Sequence, residues 1–267
     1  MNLTELLDGI PLSALFVGIL MITLLSMEVG LRVGQRRRRR LAGEEEIQAG
    51  PLVAASLSLL AFMLAMVFSS VQSRFHETKQ VALDEANAIG TAYLRADLLP
   101  AADRAEVRQL LSDYVTLRIE AVEAGTAQQV QQAIDRSEEL QSVMWSTAAT
   151  YADQHPTPVS ALFVQAVNEV IDLHETRITV GIHYRLPGII WTVLFGLTIL
   201  ALAMGGYASA LSSRRRLIAI SLSAALAFSV VLLLVMALDR PHQHLSTTTQ
   251  AAMLDLQESI RSTQSQP

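Results

Sequence analysis

The sequence predicts an all-α, polytopic membrane protein with four transmembrane helices and an extramembrane antiparallel four-helix bundle between the second and third. Three observations carry this prediction. Apolar residues make up 51% of the 267, yet they gather into four long blocks instead of spreading as they would through one soluble core. The stretch between the second and third blocks is acidic and has helical periodicity with clear breakers. The arginines cluster in the two short loops that join the blocks pairwise.

The first apolar block covers residues 11–31 and is interrupted by Ser13, Thr23, Ser26 and Glu28. The others cover residues 51–71, 188–211 and 217–238, and none of these three holds a charge. Crossing a bilayer takes roughly 20 apolar residues at about 1.5 Å each, and all four blocks meet that length. Strands would leave backbone groups unpaired in hydrocarbon, so runs this long and unalternating are predicted as helices. The start, MNLTELLDGI, is acidic and lacks the positive n-region of a secretory signal, which predicts a retained first helix. The expected division is a membrane hairpin at 1–72, a water-exposed bundle at 73–187, a second membrane hairpin at 188–238 and a polar tail at 239–267.

Orientation follows from charge. The first hairpin loop carries Arg32 and the run Arg36, Arg37, Arg38, Arg39 and Arg40; the second carries Arg214, Arg215 and Arg216. Short loops rich in Lys and Arg stay cytoplasmic. The triplet Glu44, Glu45, Glu46 counts for little in this rule. Between Gln72 and Pro187 there are 9 Lys+Arg against 16 Asp+Glu, a net of −7 that suits translocation. The termini and central bundle are therefore expected in the periplasm, with the protein in a bacterial inner membrane.

Within the central stretch, no breaker separates the second membrane helix from a first central helix that runs to Pro100. Its apolar stripe is Phe75, Ala82, Ala86, Ile89, Tyr93 and Ala96. Asp103 with Glu106 predicts a capping box for a second helix, whose face is Val107, Leu110, Leu111, Tyr114 and Leu117. Gly125 ends it, and Thr126 with Gln129 starts a third helix through Val130, Ile134, Leu140, Met144 and Tyr151. Thr157 is the expected N-cap of a fourth, with Pro158 at its first position. Its face is Phe163, Val167, Val170, Ile171, His174, Ile178 and Ile182, and Leu186-Pro187-Gly188 breaks or kinks it.

Four stretches resemble the bacterial bestrophin-like family: DEANAIGTAYLRADLLP (84–100), VRQLLSDYVTLRI (107–119), NEVIDLHETR (168–177) and ALDRP (237–241). The resemblance covers roughly 200 residues, from the second membrane helix to the tail. It implies kinship with bestrophins, which are pentameric anion channels with four membrane helices, a large helical region and aromatic rings lining the pore on the second helix. Phe62 and Phe68 lie on the second membrane helix here without a matching motif, so no pore role transfers to them. Bestrophins keep both termini and the helical region in the cytosol, whereas the arginines here predict the reverse.

Polar stripes supply the candidate ligand or ion-path residues. Asp84, Asn87, Thr91 and Arg95 share one helix face; Asn168, Asp172 and Glu175 share another, close to Arg177; Arg118 lies one turn beyond Tyr114. A polar cleft is one reading. Interhelical salt bridges that fix which helix meets which are the other, and the commoner one in bundles. Glu28, the one charge inside a membrane block, is placed to pair with Arg32 at the interface. The small residues Ala201, Gly205 and Ser209, and Ser221, Ala225 and Ser229, recur at four-residue spacing, which allows close helix contact within or between chains.

No metal site is predicted. The Glu-x-x-His pattern of di-metal bundles is absent, His76 and His174 merely neighbour Glu77 and Glu175, and His242 and His244 form a short, common pair. No cofactor is expected either. Without cysteine there is no disulfide, thiolate site or cysteine nucleophile. No phosphate loop, nucleophile elbow or catalytic carboxylate pair points to an enzyme. A net charge of −5, with its basic residues at membrane edges, argues against nucleic acid. The expected partners are the lipid bilayer, further copies of the chain and an inorganic anion, in an oligomeric channel. The alternative is a periplasmic sensing or scaffolding protein whose bundle binds a small ligand or partner.

Overall fold

The structure, a computed structural model, describes residues 10–40, 50–123, 127–183, 186–211, 215–240 and 246–264. Among these residues the chain is helical, with no strand: α1 (Leu12–Arg40), α2 (Gly50–Arg95), α3 (Ala101–Glu123), α4 (Ala127–Gln154), α5 (Pro158–Ile178), α6 (Gly188–Leu211), α7 (Arg215–Asp239) and α8 (Ser246–Gln264). Among the described residues, four stretches are long and apolar enough to cross a membrane: Leu12–Arg40, Gly50–Leu98, Gly188–Leu211 and Leu222–Asp239. The chain forms two compact units, Met1–Ser73 with Arg185–Arg240, and Arg74–Tyr184 with Pro241–Pro267.

In the first unit, Leu15, Ile19, Leu60, Leu64, Trp191, Leu194, Leu232 and Val235 meet in one apolar core. Helices α1 and α6 approach each other closely. A Cβ on Gly30 would overlap the backbone of Ala203, and one on Gly206 would overlap that of Met27. At Gly34 an added Cβ would stand 2.7 Å from both the Ala210 Cβ and the Tyr207 carbonyl oxygen. These glycines let two backbones touch, as small residues do where lipid supplies no driving force for association. The stripe Ala201, Gly205 and Ser209 is buried on α6 within this unit. Ala225 and Ser229 are buried on α7, where Ser229 Oγ lies 3.2 Å from Thr23 Oγ1. These small residues pack within one chain; the Ser221 side chain lies outside the described residues.

Residues of the ALDRP stretch close this unit. The Asp239 carboxylate accepts from the Leu186 backbone N–H at 3.3 Å, and Arg240 Nη1 donates to the Ile10 carbonyl at 2.8 Å. Arg32 Nε donates to Glu28 Oε1 at 2.8 Å, the expected local pairing. Both are exposed on the chain's own surface, where such a pair adds little stability. The arginine run does not lie in a loop: Arg36 to Arg40 form the last turn and more of α1. Arginine is a good helix former, and cations favour a helix C-terminus. Arg215 and Arg216 likewise begin α7, while Arg214 lies outside the described residues.

The second unit packs around Ala86, Ile89, Tyr93, Val107, Leu111, Tyr114, Met144, Phe163, Val167 and Val170. Most members of the expected apolar stripes are buried here, which fixes how each helix is rotated about its axis. Thr157 caps α5: its hydroxyl accepts from the Ser160 N–H at 3.1 Å, the Ser160 hydroxyl accepts from the Thr157 N–H at 3.0 Å, and Pro158 follows. Two expectations need correction. The second central helix begins at Ala101, not after an Asp103 cap, because the Pro100 carbonyl already accepts from the Arg104 N–H at 2.9 Å. The supposed polar tail contains α8, which places Met253 and Ile260 in the core of this unit. Met253, Leu256 and Ile260 recur at three and four residues, enough for a narrow buried stripe on an otherwise polar helix. The Gly125 stop and the Thr126 cap fall outside the described residues.

Candidate functional site

The charged centre of the second unit is built from residues that sit on apolar faces. Glu85 lies between Ala82, Ala86 and Ile89 on α2, in phase with the buried stripe, and its side chain is fully enclosed. Tyr114 and Arg118 are one turn apart on α3; His174 and Arg177 are one turn apart on α5. The helices bring these five together. Arg118 Nε donates to Glu85 Oε1 at 2.9 Å, and Arg177 Nη1 donates to Oε2 at 2.5 Å. The Tyr114 hydroxyl donates to Oε1 at 3.1 Å. Gln141 on α4 donates its amide N–H to the Tyr114 oxygen at 3.0 Å.

One carboxylate thus faces two guanidiniums, and the trio carries a net positive charge inside the protein. Burying Glu85 without Arg118 and Arg177 would be prohibitive, since a lone charge out of water costs several kcal/mol or more. Burial and the negative Glu85 push the Tyr114 hydroxyl well above its ordinary range, so it stays protonated and donates. Burial, reinforced by Arg118, lowers His174 to about 4, so its ring is neutral at pH 7.

The tautomer of His174 follows from proton accounting. His174 Nδ1 lies 3.0 Å from the Tyr114 oxygen. The single hydroxyl proton of Tyr114 goes to Glu85, so Nδ1 carries the hydrogen and donates to that oxygen. Nε2 then presents a lone pair, and it is buried with no partner among the described residues.

The expected site residues fall in separate places. Arg118 and Arg177 are buried at the centre. Asp84, Asn168 and Asp172 are occupied locally: Gln80 donates to Asp84 at 2.9 Å, and Asn168 donates to Asp172 at 2.7 Å. Arg95 donates to the Leu162 carbonyl at 2.6 Å, and Asn87, with Thr91, lines an open groove beside α8. Glu175 is exposed beside the buried histidine. The polar stripes therefore do not converge on one cleft. The interhelical salt-bridge reading holds for Arg118 and Arg177, with Glu85 as the partner that the stripes missed. Its signal was a carboxylate in phase with Ala82, Ala86 and Ile89, one residue from the chosen Asp84. His174 and Tyr114 were placed correctly as buried, but as packing residues and not as members of a network. The Gly30-Leu31-Arg32-Val33-Gly34 stretch, a small-xxx-small signal in plain view, was also missed.

Glu85, Tyr114, Arg118, His174 and Arg177 all come from three of the stretches that resemble bestrophin-like proteins. The family model for the Bestrophin-like domain matches residues 17–248. The chain belongs to this family. A bacterial bestrophin homologue from Klebsiella pneumoniae, solved as a single-residue variant, shares the fold with a TM-score of 0.73 at 12% identity, over 94% of this chain and 99% of that one. A second structure of a homologue from that organism, phased with zinc, gives 0.67 at 13% identity over 91% and 98%. No curated protein matches. These likenesses establish the fold: a membrane protein of the bestrophin-like class.

Proposed function

We propose that the protein is a homo-oligomeric ion channel of the bacterial inner membrane that passes inorganic anions. The observation that carries this reading is the shared fold over 94% of the chain with a bacterial bestrophin homologue; the resemblance to bestrophins implies an oligomeric anion channel. The surface of the chain supports it. Leu52, Leu59, Phe62 and Met66 on the apolar part of α2 are all at least half exposed, which leaves this helix face for lipid or neighbouring copies. Four spans from one chain do not enclose a pore, so conduction requires a ring of subunits.

The test is flux from sealed proteoliposomes, with chloride and potassium followed separately. Protein-dependent chloride flux that a bulky block on α2 abolishes is the expected result. Silence from vesicles shown to hold folded oligomers would overturn it.

Within this reading, the second unit and both termini face the periplasm, with Arg36–Arg40 in the cytoplasm. Because the sequence has no cysteine, single-cysteine variants report topology cleanly. On intact cells an impermeant maleimide is expected to label Gln131→Cys and to spare Gln35→Cys until the membrane is opened. The opposite pattern would place the second unit in the cytosol, as in bestrophins.

A further inference from the structure

The Glu85 network leaves one thing undone: it orients His174 and then leaves Nε2 unused. The ring is fully buried, its Nδ1–H is held by Tyr114, and Tyr114 is held in turn by Glu85 and Gln141. A histidine that ligates a metal almost always gives its other ring N–H to such a second group, which fixes tautomer and angle. Two carboxylates stand close to this imidazole. One ligand atom each from Glu138, His174 and Glu175 lie within 4.8 Å of one another. Glu138 comes from α4 and precedes Gln141 by one turn, so the helix whose Gln141 donates to Tyr114 also presents the acid.

We propose that Glu138, His174 and Glu175 form a binding site for a divalent first-row transition ion, best suited to Zn2+, which ties α4 to α5. The donor set is one neutral imidazole and two carboxylates, a set zinc accepts with a water in the fourth position. Donor atoms around tetrahedral zinc stand about 3.3 Å apart, given bonds of about 2.0–2.2 Å. The buried histidine is the rigid member. Glu138 and Glu175 are both exposed, so rotation about their side-chain bonds closes the remaining gap. The two carboxylates offset the charge of a dication, which would otherwise be repelled by Arg118 and Arg177 acting on the His174 ring.

Adjacency in sequence did not point to this site. His174 and Glu175 alone diverge around the helix, and the third ligand arrives from residue 138, which only the packing of α4 on α5 supplies. The inference stands whether or not the protein conducts ions.

The test uses the full-length chain in detergent, purified without a histidine tag and carrying His242→Asn and His244→Asn to remove the other histidine pair. ZnCl2 is titrated against a competing chelator. The expected result is one zinc per chain, a melting temperature raised by zinc, and at least a tenfold loss of affinity in Glu138→Gln/Glu175→Gln, about the lower bound for disturbing a metal site. Both glutamates are on the surface, so this variant folds, and an unchanged circular dichroism spectrum establishes that. X-ray absorption at the zinc edge should show one imidazole nitrogen with oxygen donors. Zinc binding that survives the double variant, a shell without imidazole, or no binding at all in the micromolar range would each overturn the site.

Discussion

Replacing Glu85 by Gln will destabilise the second unit by about 3–5 kcal/mol, the usual consequence of removing one partner of a buried ion pair. The volume of the side chain hardly changes, so packing is not the cause. The amide still accepts one hydrogen bond, but Arg118 and Arg177 lose the only carboxylate that the described residues bring to them. Two guanidiniums are left in a site almost without solvent. Thermal unfolding of the full-length protein in detergent, with proteolysis of the central helices as a second readout, measures the loss. A triple variant separates charge from shape: Glu85→Leu with Arg118→Met and Arg177→Met removes all three charges together. Buried ion clusters replaced by apolar groups of similar volume are often neutral in stability. Recovery of most of the lost stability in the triple variant is therefore expected. If Glu85→Gln melts with the wild type, the network is not what holds these helices in register.

The second large effect lies in the membrane unit. Gly206→Val is expected to cost at least the upper part of the about 1–3 kcal/mol range for overpacking. The atoms an added Cβ meets are backbone atoms of Met27, which no rotamer change can move aside. The helices must separate, and the contact between α1 and α6 opens along its length. Gly30→Val should act alike from the other side, against Ala203. Gly18→Val is the control: it lies on α1 too, but an added Cβ there meets nothing within 4 Å. Equal melting temperatures for Gly18→Val and Gly206→Val would show that the close approach does not contribute to stability.

These two predictions rest on different kinds of legibility. The buried stripes Ala82, Ala86, Ile89, Tyr93 and Phe163, Val167, Val170, His174 were readable because helical period is a local property, set every 3.6 residues by the helix itself. The four membrane segments were readable for the same reason: length and apolarity are counted along the chain. The cap at Thr157 and Pro158 is a matter of neighbouring residues, and it formed as expected. The missed tail helix is a narrower case. Its stripe of Met253, Leu256 and Ile260 is too sparse to announce burial among so many polar residues.

The centre of the second unit was legible only in part. Arg118 stood out as a charge one turn beyond Tyr114 and Arg177 as a neighbour of a polar stripe, yet their partner is 33 and 92 residues away along the chain. Nothing local distinguishes Glu85 from Asp84 except phase, and phase tells that a residue is buried without telling what it meets. The same holds for Glu138, which joins His174 and Glu175 only because α4 packs beside α5. By itself, the sequence determined the helices, their apolar faces, the four membrane-length segments and the family, since each is written in short stretches of chain. Only the tertiary structure decided which charge neutralises which, which histidine nitrogen is left open and which glycines bring two backbones into contact. Those depend on where helices cross, and a crossing is set by complementary surfaces of segments far apart in the chain.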